Sequence, residues 1–404
     1  MNPRIRRLDE WDADPLRSVA ADFGTPLYAL DLERVRENCR RMTRAFPDAD
    51  VLYAAKANTL DRVLETVNEA GIGVECASAG EVRRALDAAV PGEDIHYTAV
   101  NPPDRDLDAA VSMADDHPGI TITAGARDTI ERLRERGYSG RLCLRVNPGV
   151  GAGHHEKVTT GADAKFGVPY DDAERILADA ATDFDLVGVH AHAGSGISGE
   201  DLESHRELVT RMSVLVRASP VPLEFVDVGG GFGVPYRPEE DPLNLEAVAE
   251  ATRDALGDVD ATLTIEPGRY LVADAGVLLT EINTVKETVV GADAGMTDLI
   301  RPAMYDAYHH VRSLVPDADE RNERTITVTG PVCESGDVLA RERALPDPAR
   351  GDLLAVGNAG AYGYEMASNY NTRPRPATVT RDASGEWTLA RRRETIADVT
   401  RLEE

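Results

Sequence analysis

Lysine is scarce in this chain of 404 residues. Only Lys56, Lys157, Lys165 and Lys286 are lysines among 44 lysines and arginines. Arginine cannot replace lysine where an amine must lose its proton and form an imine, because the guanidinium stays protonated. Lys56 ends the apolar run Val51–Ala55 and is therefore a candidate Schiff-base nucleophile; the alternative is a side chain that merely reaches solvent.

Cysteines and long apolar segments are also few. Cys39, Cys76, Cys143 and Cys333 are far apart and form no CxxC pair or zinc-type spacing, so neither a disulfide framework nor a metal site is indicated. No stretch approaches the roughly 20 apolar residues that a membrane span needs, and residues 1–10 lack the apolar part of a signal peptide. We therefore expect a soluble cytoplasmic protein without a bound metal.

Basic residues are outnumbered along the whole chain. The 71 acidic residues against 44 basic ones give a net charge of -27. Such a surface repels phosphate, which argues against nucleic acid as a partner. The preference for arginine and acidic residues also favours a salt-rich cytoplasm, as in a halophile, where screening removes self-repulsion. An ordinary acidic protein is the alternative.

Short β-type runs alternate with amphipathic segments from residue 51 to about residue 275, as in βα units around a parallel sheet. The predicted strands are Val51–Ala55, Ile72–Cys76, Asp94–Thr98, Ile120–Ala124, Arg141–Asn147, Leu186–His190, Phe225–Gly229 and Leu263–Glu266. Eight strands with intervening helices match a (β/α)8 barrel of the TIM type. An open doubly wound sheet is the alternative.

The remaining sequence is rich in short β-type segments separated by Gly, Pro, Asp and Asn. The predicted strands there are Gly276–Val285, Thr325–Thr329, Asp352–Val356, Ala377–Thr380 and Trp387–Arg391. The strand-like segment Pro26–Leu30 could join them or lead into the barrel. We therefore expect an α/β fold with a barrel domain at 31–275, followed by an all-β C-terminal domain, a barrel or a sandwich. This second domain would comprise 276–404 together with 1–30.

The active site of such a barrel lies at the carboxyl ends of its strands. The segments that end the first, sixth, seventh and eighth predicted strands contain Lys56, His190–Gly196, Asp227–Gly233 and Glu266–Arg269. Three consecutive glycines at Gly229–Gly231 let backbone N–H groups close on an anion, and Ser195 and Arg269 can add hydrogen bonds. The sequence thus predicts a phosphate cradle that faces Lys56; a plain turn is the alternative.

Two histidines lie close together in this region. His190 and His192 are two residues apart on a strand and point to opposite faces, so they cannot jointly chelate a metal while both remain in a regular strand. His192, at the exit of the strand, is the better candidate to face a ligand. The alternative is a histidine buried in the core.

Many segments, in the same order along the chain, resemble those of the fold-type III pyridoxal-phosphate-dependent decarboxylases. The resemblance covers nearly the whole chain. The matching segments are Tyr53–Asn58, Glu75–Glu81, Arg145–Gly149, Lys165–Gly167, Gly229–Gly231, Glu266–Arg269, Arg301–Tyr305, Cys333–Asp337, Gly360–Tyr362 and Tyr370–Arg375. The resemblance is greatest to the branch that acts on diaminopimelate. It implies pyridoxal 5'-phosphate as the cofactor and conversion of meso-2,6-diaminopimelate to L-lysine and carbon dioxide, the last step of lysine biosynthesis.

The same resemblance implies roles around the cofactor. Lys56 would carry pyridoxal phosphate covalently, Glu266 would face the pyridine nitrogen and His192 would stack on the ring. The implied cofactor-binding residues are Lys56, His192, Ser195, Gly229, Gly230, Gly231, Glu266, Gly268, Arg269 and Tyr362.

Further roles are implied at the substrate. Cys333 would be the catalytic proton donor, placed in the active site of a partner subunit, so a homodimer is expected. Arginine forks suit the distal carboxylate of the amino-acid substrate, and Glu334 suits its ammonium. The implied substrate-binding residues are Arg269, Arg301, Tyr305, Glu334 and Tyr362.

One motif departs from the diaminopimelate branch. Residues 192–196 read HAGSG, whereas that branch commonly has HIGSQ and ornithine-type enzymes have HVGSG. Decarboxylation of ornithine, lysine, arginine or carboxynorspermidine is therefore an alternative. A non-catalytic regulator that binds the cofactor is a remote one, against which Lys56 and Cys333 argue. An amino-acid racemase is a third, but alanine-racemase relatives have no CESGD thiol.

Overall fold

The computed structural model describes residues 5–150, 166–192, 194, 197 and 202–404. These residues divide into two compact units. One lies within 36–233 and 242–270, and the other comprises 5–35, 234–241 and 271–404. None of the helices in these ranges is both long enough and apolar enough to span a bilayer.

Eight parallel strands close into a barrel in the first unit. The strands are Ala49–Ala54, Gly73–Cys76, Ile95–Tyr97, Thr121–Ala124, Arg141–Asn147, Asp185–His190, Phe225–Asp227 and Thr262–Ile265. The circle closes where Leu263 pairs with Ala49, and a ninth strand, Val168–Pro169, pairs beside Arg141–Asn147. The predicted (β/α)8 barrel is confirmed, and the open sheet is excluded.

Helices alternate with these strands. They are Leu32–Ala45, Asp61–Glu69, Ala79–Asp87, Asp104–Asp116, Arg127–Glu135, Tyr170–Ala180, Glu203–Arg217, Leu245–Leu256 and the short Arg269–Val272, with 3-10 turns at Ala55–Ala57 and Gly92–Asp94. Strands Gly73–Cys76 and Thr121–Ala124 are buried along their whole length. Burial of this kind is expected where a parallel sheet is covered on both faces.

The start of helix Ala79–Asp87 shows how local sequence fixes a strand end. The Ser78 hydroxyl accepts a hydrogen bond from the backbone N–H of Glu81 at 3.2 Å. The Glu81 carboxylate accepts one from the N–H of Ala77 at 2.6 Å. These bonds satisfy backbone donors where the helix begins. They hold the end of strand Gly73–Cys76 in a defined position.

The second unit is built on a sheet of nine strands. They are Leu27–Asp31, Gly276–Val285, Val289–Ala292, Val311–Ser313, Glu323–Thr329, Val338–Pro346, Leu353–Val356, Ala377–Arg381 and Trp387–Arg391. Leu27–Asp31 pairs antiparallel with Gly276–Val285 and parallel with Ala377–Arg381. The N-terminal strand therefore belongs to this sheet rather than to the barrel. The predicted β-rich second part of the fold is confirmed.

Short helices complete the second unit. They are Ala13–Phe23, Arg301–Tyr305 and Ile396–Val399, with 3-10 turns at Leu8–Glu10, Ala273–Ala275, Ala318–Glu320, Tyr364–Met366 and Tyr370–Thr372. Helix Ala13–Phe23 begins after Asp12, whose side chain accepts a hydrogen bond from the N–H of Asp14, a common N-cap contact.

A buried ion network ties the N-terminal strand into this unit. Asp31 is 3% exposed and accepts from Arg6 Nη1 at 2.7 Å and from Arg381 Nη2 at 2.6 Å. Arg34 Nη2 donates to Asp274 Oδ2 at 2.7 Å, and both of these residues are buried. Burial alone would raise the pKa of Asp31, but the hydrogen bonds and charges of Arg381 and Arg6 bring this pKa below its ordinary value.

We expect Asp31→Asn to lower the free energy of unfolding at neutral pH by about 2 to 3 kcal/mol, because two arginines lose a buried counter-charge. The folded pKa of Asp31 is depressed. Its contribution is therefore present above the unfolded carboxyl pKa and is lost as the pH falls through the folded value. Urea unfolding of wild type and variant, followed from neutral to acidic pH, measures both effects.

The control for this prediction is Asp14→Asn, since Asp14 pairs with Arg17 through a side chain that is 78% exposed. Its loss should change the unfolding free energy by no more than about 0.5 kcal/mol. Equal effects of the two substitutions at neutral pH would contradict the stabilising role of the Asp31 network.

Candidate active site

Lys56 lies in the 3-10 turn Ala55–Ala57, directly after the first barrel strand. Its Nζ donates to Glu75 Oε2 at 3.1 Å, and Glu75 is buried in the second barrel strand. Burial raises the pKa of the Glu75 carboxyl to about 7, against the lowering effect of the Lys56 ammonium. The amine predicted from the sequence is therefore held at a strand end by a buried carboxyl group.

The turn that carries Lys56 packs beside the loop after the eighth strand. The backbone N–H of Ala54 donates to the carbonyl of Pro267 at 3.2 Å. A Cβ at Gly268 would lie 3.1 Å from the Cβ of Ala54, which is closer than most real contacts. Glycine at 268 thus allows the loop that contains Glu266 to approach the lysine turn closely.

Three buried polar residues form a cluster at the ends of the sixth, seventh and eighth strands. Glu266 Oε2 lies 3.3 Å from His190 Nε2, and Asp227 Oδ1 accepts from the N–H of Gly229 at 2.7 Å. His190, Asp227 and Glu266 each offer a ligand atom within 4.8 Å of the others. This spacing could hold a metal ion, and the expectation that no metal binds here stays a prediction.

Burial and neighbouring charges shift the pKa values of all three residues in this cluster. Burial lowers the pKa of His190, against the raising effect of Glu266, which its Nε2 contacts. Burial, and then the charge of Glu266, raise the pKa of Asp227 well above its ordinary value. Burial opposes the charge of Glu266, but His190 and Lys56 hold its pKa below the ordinary value. The pKa values of the two carboxyl groups are thus shifted in opposite directions, that of Asp227 upwards and that of Glu266 downwards.

Two atoms of the cluster are buried without a hydrogen-bond partner among the described residues, namely Glu266 Oε1 and His190 Nδ1. A buried acceptor left in this way costs free energy unless a donor is supplied. A protonated ring nitrogen, such as that of pyridoxal phosphate, is such a donor. Glu266 therefore fits the role that the sequence implies for it.

His192 is held by the glycine run. The N–H of Gly230 donates to His192 Nδ1 at 3.1 Å, so Nε2 carries the ring hydrogen. Burial, helped by the charge of Lys56, lowers the pKa of His192 to about 3, and the ring is neutral. A Cβ at Gly229 would lie 2.4 Å from His192 Nδ1, and a Cβ at Gly230 would lie 2.1 Å from the backbone oxygen of Glu266. These two glycines let the histidine and the glutamate loop pack together.

The third glycine links the seventh strand to the segment after the sixth. Gly231 has a φ of +100°, and a Cβ there would lie 2.6 Å from the carbonyl oxygen of Gly194. The Gly231 carbonyl accepts from the N–H of Ile197 at 3.1 Å. Ser195 lies outside the described residues. Arg269, partly exposed, begins helix Arg269–Val272, and the phosphate cradle that it would complete stays a prediction.

The second unit brings together two of the predicted residues and two that sequence reasoning leaves without a role. Cys333 is exposed, and its Sγ accepts from Asn371 Nδ2 at 3.3 Å. Glu334, also exposed, accepts from the Tyr370 hydroxyl at 2.5 Å. The predicted proton donor and its acidic neighbour are thus contacted by a single turn.

Arg301 is buried in the second unit, where it contacts Tyr236 and His309. Its Nη1 donates to the Tyr236 hydroxyl at 2.8 Å and lies 3.0 Å from His309 Nε2. His309 Nδ1 lies 2.8 Å from the carbonyl of Gly357. A carbonyl only accepts, so Nδ1 carries the hydrogen and Nε2 accepts from the arginine. The remaining predicted substrate residues of this unit are the half-buried Tyr305 and Tyr362.

Sequence reasoning assigns no role to four buried residues of the barrel rim. They are Glu75, Arg145, His190 and Asp227. Burial lowers the pKa of Arg145, against the raising effects of Glu266 and Glu75. Each of these residues is a polar residue in an otherwise apolar strand, near the carboxyl end where the active sites of barrels lie. This sequence pattern could have identified them as candidate site residues.

Comparison with known proteins decides the family. Residues 32–273 match the family model described as the pyridoxal-binding domain of pyridoxal-dependent decarboxylases. The chain belongs to the pyridoxal-dependent decarboxylases. The predicted family and its pyridoxal phosphate cofactor are therefore confirmed, and the racemase reading is set aside.

Full-length relatives of this decarboxylase are known. The chain is 42% identical to the diaminopimelate decarboxylase of Methanothermobacter thermautotrophicus over 95% of this chain and 92% of that protein. The structure of diaminopimelate decarboxylase from Helicobacter pylori complexed with L-lysine has a TM-score of 0.88 at 30% identity, covering 96% of this chain and 99% of that one. The M. jannaschii enzyme in co-complex with L-lysine has a TM-score of 0.87 at 31% identity, covering 100% and 97%. The predicted resemblance to the diaminopimelate branch is confirmed.

We expect Gly230→Ala to reduce retention of pyridoxal phosphate by roughly tenfold or more, because overpacking against a backbone oxygen forces the glutamate loop to move. The added Cβ would lie 2.1 Å from the Glu266 carbonyl oxygen. Absorbance of bound cofactor after gel filtration measures retention, with circular dichroism as a check on folding.

Gly80→Ala is the matched control. Its Cβ would meet only Ser78 Oγ, at 3.6 Å, an ordinary contact, so cofactor retention should match that of the wild type. Normal retention by the Gly230→Ala protein would contradict the close packing inferred for this rim.

Proposed function

We propose that this decarboxylase removes carbon dioxide from meso-2,6-diaminopimelate to give L-lysine, with pyridoxal phosphate as cofactor. The proposal is supported chiefly by the arrangement of residues at the rim of the barrel. There, Lys56 lies beside the loop of a buried glutamate whose Oε1 has no donor among the described residues. The chain that carries this rim matches diaminopimelate decarboxylases along nearly its full length.

Pyridoxal phosphate, when bound, supplies a ring that accepts the electrons left behind by departing carbon dioxide. Glu266 would keep a hydrogen on the ring nitrogen, because the pKa of this carboxyl group lies below its ordinary value while that of Asp227 lies above it. His192 offers a neutral flat ring for stacking. These residues set the charge around the ring before any substrate arrives.

Lys56 must lose a proton before its amine can attack a carbonyl. Glu75 accepts the hydrogen bond of this amine at 3.1 Å. Because burial raises the pKa of Glu75 to about 7, its carboxyl group can take up and return that proton near neutral pH. Glu75 is therefore the proposed proton partner of Lys56.

The N–H groups of Gly229 and Gly230 already donate to Asp227 and His192, so the cofactor phosphate is proposed to bind Gly231, together with Gly268, Arg269 and Ser195. Backbone N–H groups and a guanidinium fork are strong donors for a phosphate group. The positive φ of Gly229 and Gly231 supports this reading, because glycine adopts that conformation without strain.

Substrate residues are proposed in the second unit as well. Cys333 gives its thiol proton to the carbon that has lost carbon dioxide, and the sulfur regains a proton from solvent. Glu334 binds the distal ammonium of the substrate, while Arg269 and Arg301 bind its distal carboxylate. The Arg301 guanidinium is held by Tyr236 and His309, so its orientation is set in advance. Tyr305 and Tyr362 are proposed as further substrate-binding residues of this unit.

The enzyme is proposed to act in a salt-rich cytoplasm. The net charge of -27 is tolerated best where salt shortens the range of self-repulsion. Assays are therefore designed in concentrated potassium chloride.

We expect carbon dioxide release from meso-diaminopimelate to exceed that from L-ornithine, L-lysine, L-arginine and carboxynorspermidine by roughly a hundredfold or more, because a site built for a distal carboxylate rejects substrates that lack it. The Lys56→Ala protein should be silent on every substrate. Faster turnover of ornithine would favour the reading suggested by the HAGSG sequence at 192–196. Silence on all substrates with cofactor bound would favour a regulator.

A homodimer is proposed, in which Cys333 and Glu334 serve the barrel of the partner subunit. Mixing Lys56→Ala with Cys333→Ala protein under conditions of subunit exchange should then restore about a quarter of wild-type activity. The reason is that half of the dimers are hybrids and each hybrid has one intact site. Sedimentation verifies the dimer. Complete inactivity of mixed dimers would show that each subunit uses its own Cys333.

A further inference from the structure

In the second unit, the turn at 370–372 contacts the loop at 333–334 through two pairs of side chains. The Tyr370 hydroxyl donates to Glu334 Oε1 at 2.5 Å, and Asn371 Nδ2 donates to Cys333 Sγ at 3.3 Å. We infer that Tyr370 and Asn371 are positioning residues, which orient the Glu334 carboxylate and set the reactivity of the Cys333 thiol. The inference rests on the proposed function, because the roles of Cys333 and Glu334 belong to it.

The turn that supplies the two donors has an uncommon backbone. Asn371 has a φ of +57° and Thr372 a φ of +56°. Asparagine tolerates this left-handed region, but a β-branched residue such as threonine is strained there. Strain of this kind persists only where the surrounding structure over-determines it, and it concentrates at functional sites. This backbone conformation places the side chains of Tyr370 and Asn371 against one loop, which carries Cys333 and Glu334.

Hydrogen bonds on both sides hold the turn in place. Asn369 Nδ2 donates to the carbonyl of Arg373 at 2.9 Å, across the base of the turn. Arg373 Nη2 donates to the carbonyl of Asp293 at 3.2 Å, which ties the turn to the sheet. Tyr370 and Asn371 therefore present their donors from a fixed backbone.

The receiving loop is fixed as firmly. Asp337 is 2% exposed, and its carboxylate accepts from the N–H groups of Met296 and Val332 at 2.5 and 2.7 Å. The N–H of Asp337 donates to the carbonyl of Glu334 at 3.0 Å. Because hydrogen bonds between side chains and backbone groups anchor both loops, the pairing is a property of the fold rather than of two loose surface side chains.

Each contact has a chemical consequence. A donor on Cys333 Sγ stabilises the negative charge that remains when the thiol gives up its proton, and it directs the S–H bond away from the amide. The Tyr370 hydroxyl occupies one oxygen of the Glu334 carboxylate. The other oxygen remains for the distal ammonium of the substrate. The first contact acts on proton transfer and the second on substrate binding.

The Cys333 contact is tested by alkylation of the holoenzyme with iodoacetamide at a fixed neutral pH. Among the described cysteines Cys39, Cys76 and Cys143 are buried and Cys333 is exposed, so mass spectrometry can follow one labelled site. Asn371→Gly removes the amide and is compatible with the positive φ. The reaction should slow by roughly threefold to tenfold, the effect of losing one typical hydrogen bond.

Asn371→Asp keeps the shape of the side chain but places a carboxylate beside the sulfur. Alkylation should slow further, because a like charge disfavours the thiolate. Asn322→Ala is the matched control, since Asn322 is an exposed asparagine of the same unit, and it should alkylate at the wild-type rate. Wild-type rates for both Asn371 variants would overturn the role of Asn371.

The Glu334 contact is tested with Tyr370→Phe, which removes only the hydroxyl. We expect KM for meso-diaminopimelate to rise roughly tenfold, with kcat and the Cys333 alkylation rate within about twofold of wild type. Asn371→Gly should instead lower kcat with little change in KM. A turn that served only the fold would shift both parameters alike in both variants, and that result would overturn the inference.

Failure of the proposed function has a different signature. The enzyme could be inactive on meso-diaminopimelate while Asn371→Gly still slows alkylation of Cys333. That result would contradict the proposed substrate and support the positioning role of Asn371. Turnover of the substrate with unchanged alkylation rates would do the reverse.

Discussion

The rim of the barrel depends on two buried carboxyl groups that lie close together, those of Glu266 and Asp227. Burial and then the charge of Glu266 raise the pKa of Asp227, whereas the pKa of Glu266 lies below its ordinary value. His190, through its contact with the carboxylate, and the ammonium of Lys56 favour the charged form of Glu266. The surrounding glycines, the neutral His192 and the Lys56 turn are arranged around that charge.

Much of this rim was predictable from the sequence, since the carboxyl ends of barrel strands meet at one edge. Lys56, the glycine run and Glu266 each follow an apolar strand, and the strand count gave the barrel. Proton positions were beyond such reasoning. The pKa of Asp227 depends on a carboxyl group contributed by another strand, and no local pattern carries that information.

The second unit was harder to predict for reasons of pattern and distance. Strand Val338–Pro346 carries charged residues along its middle, and its pairing register shifts near residue 328, so it lacks the alternation of a half-buried strand. The contacts of Cys333 and Glu334 with the turn at 370–372 join segments about 36 to 38 residues apart. They also need positive φ values at asparagine and threonine, which sequence patterns do not announce.

The pairing of Leu27–Asp31 has a consequence for biosynthesis. This strand lies between Gly276–Val285 and Ala377–Arg381, and Asp31 is bonded to a residue 350 positions later. During translation the strand therefore emerges long before either neighbour exists, while the barrel can fold from contiguous chain. Until Ala377–Arg381 has left the ribosome, the backbone edges of strand Leu27–Asp31 remain open to incorrect pairing. Completion of the sheet is thus a late, high-contact-order event, and chaperone demand should be greatest at that stage.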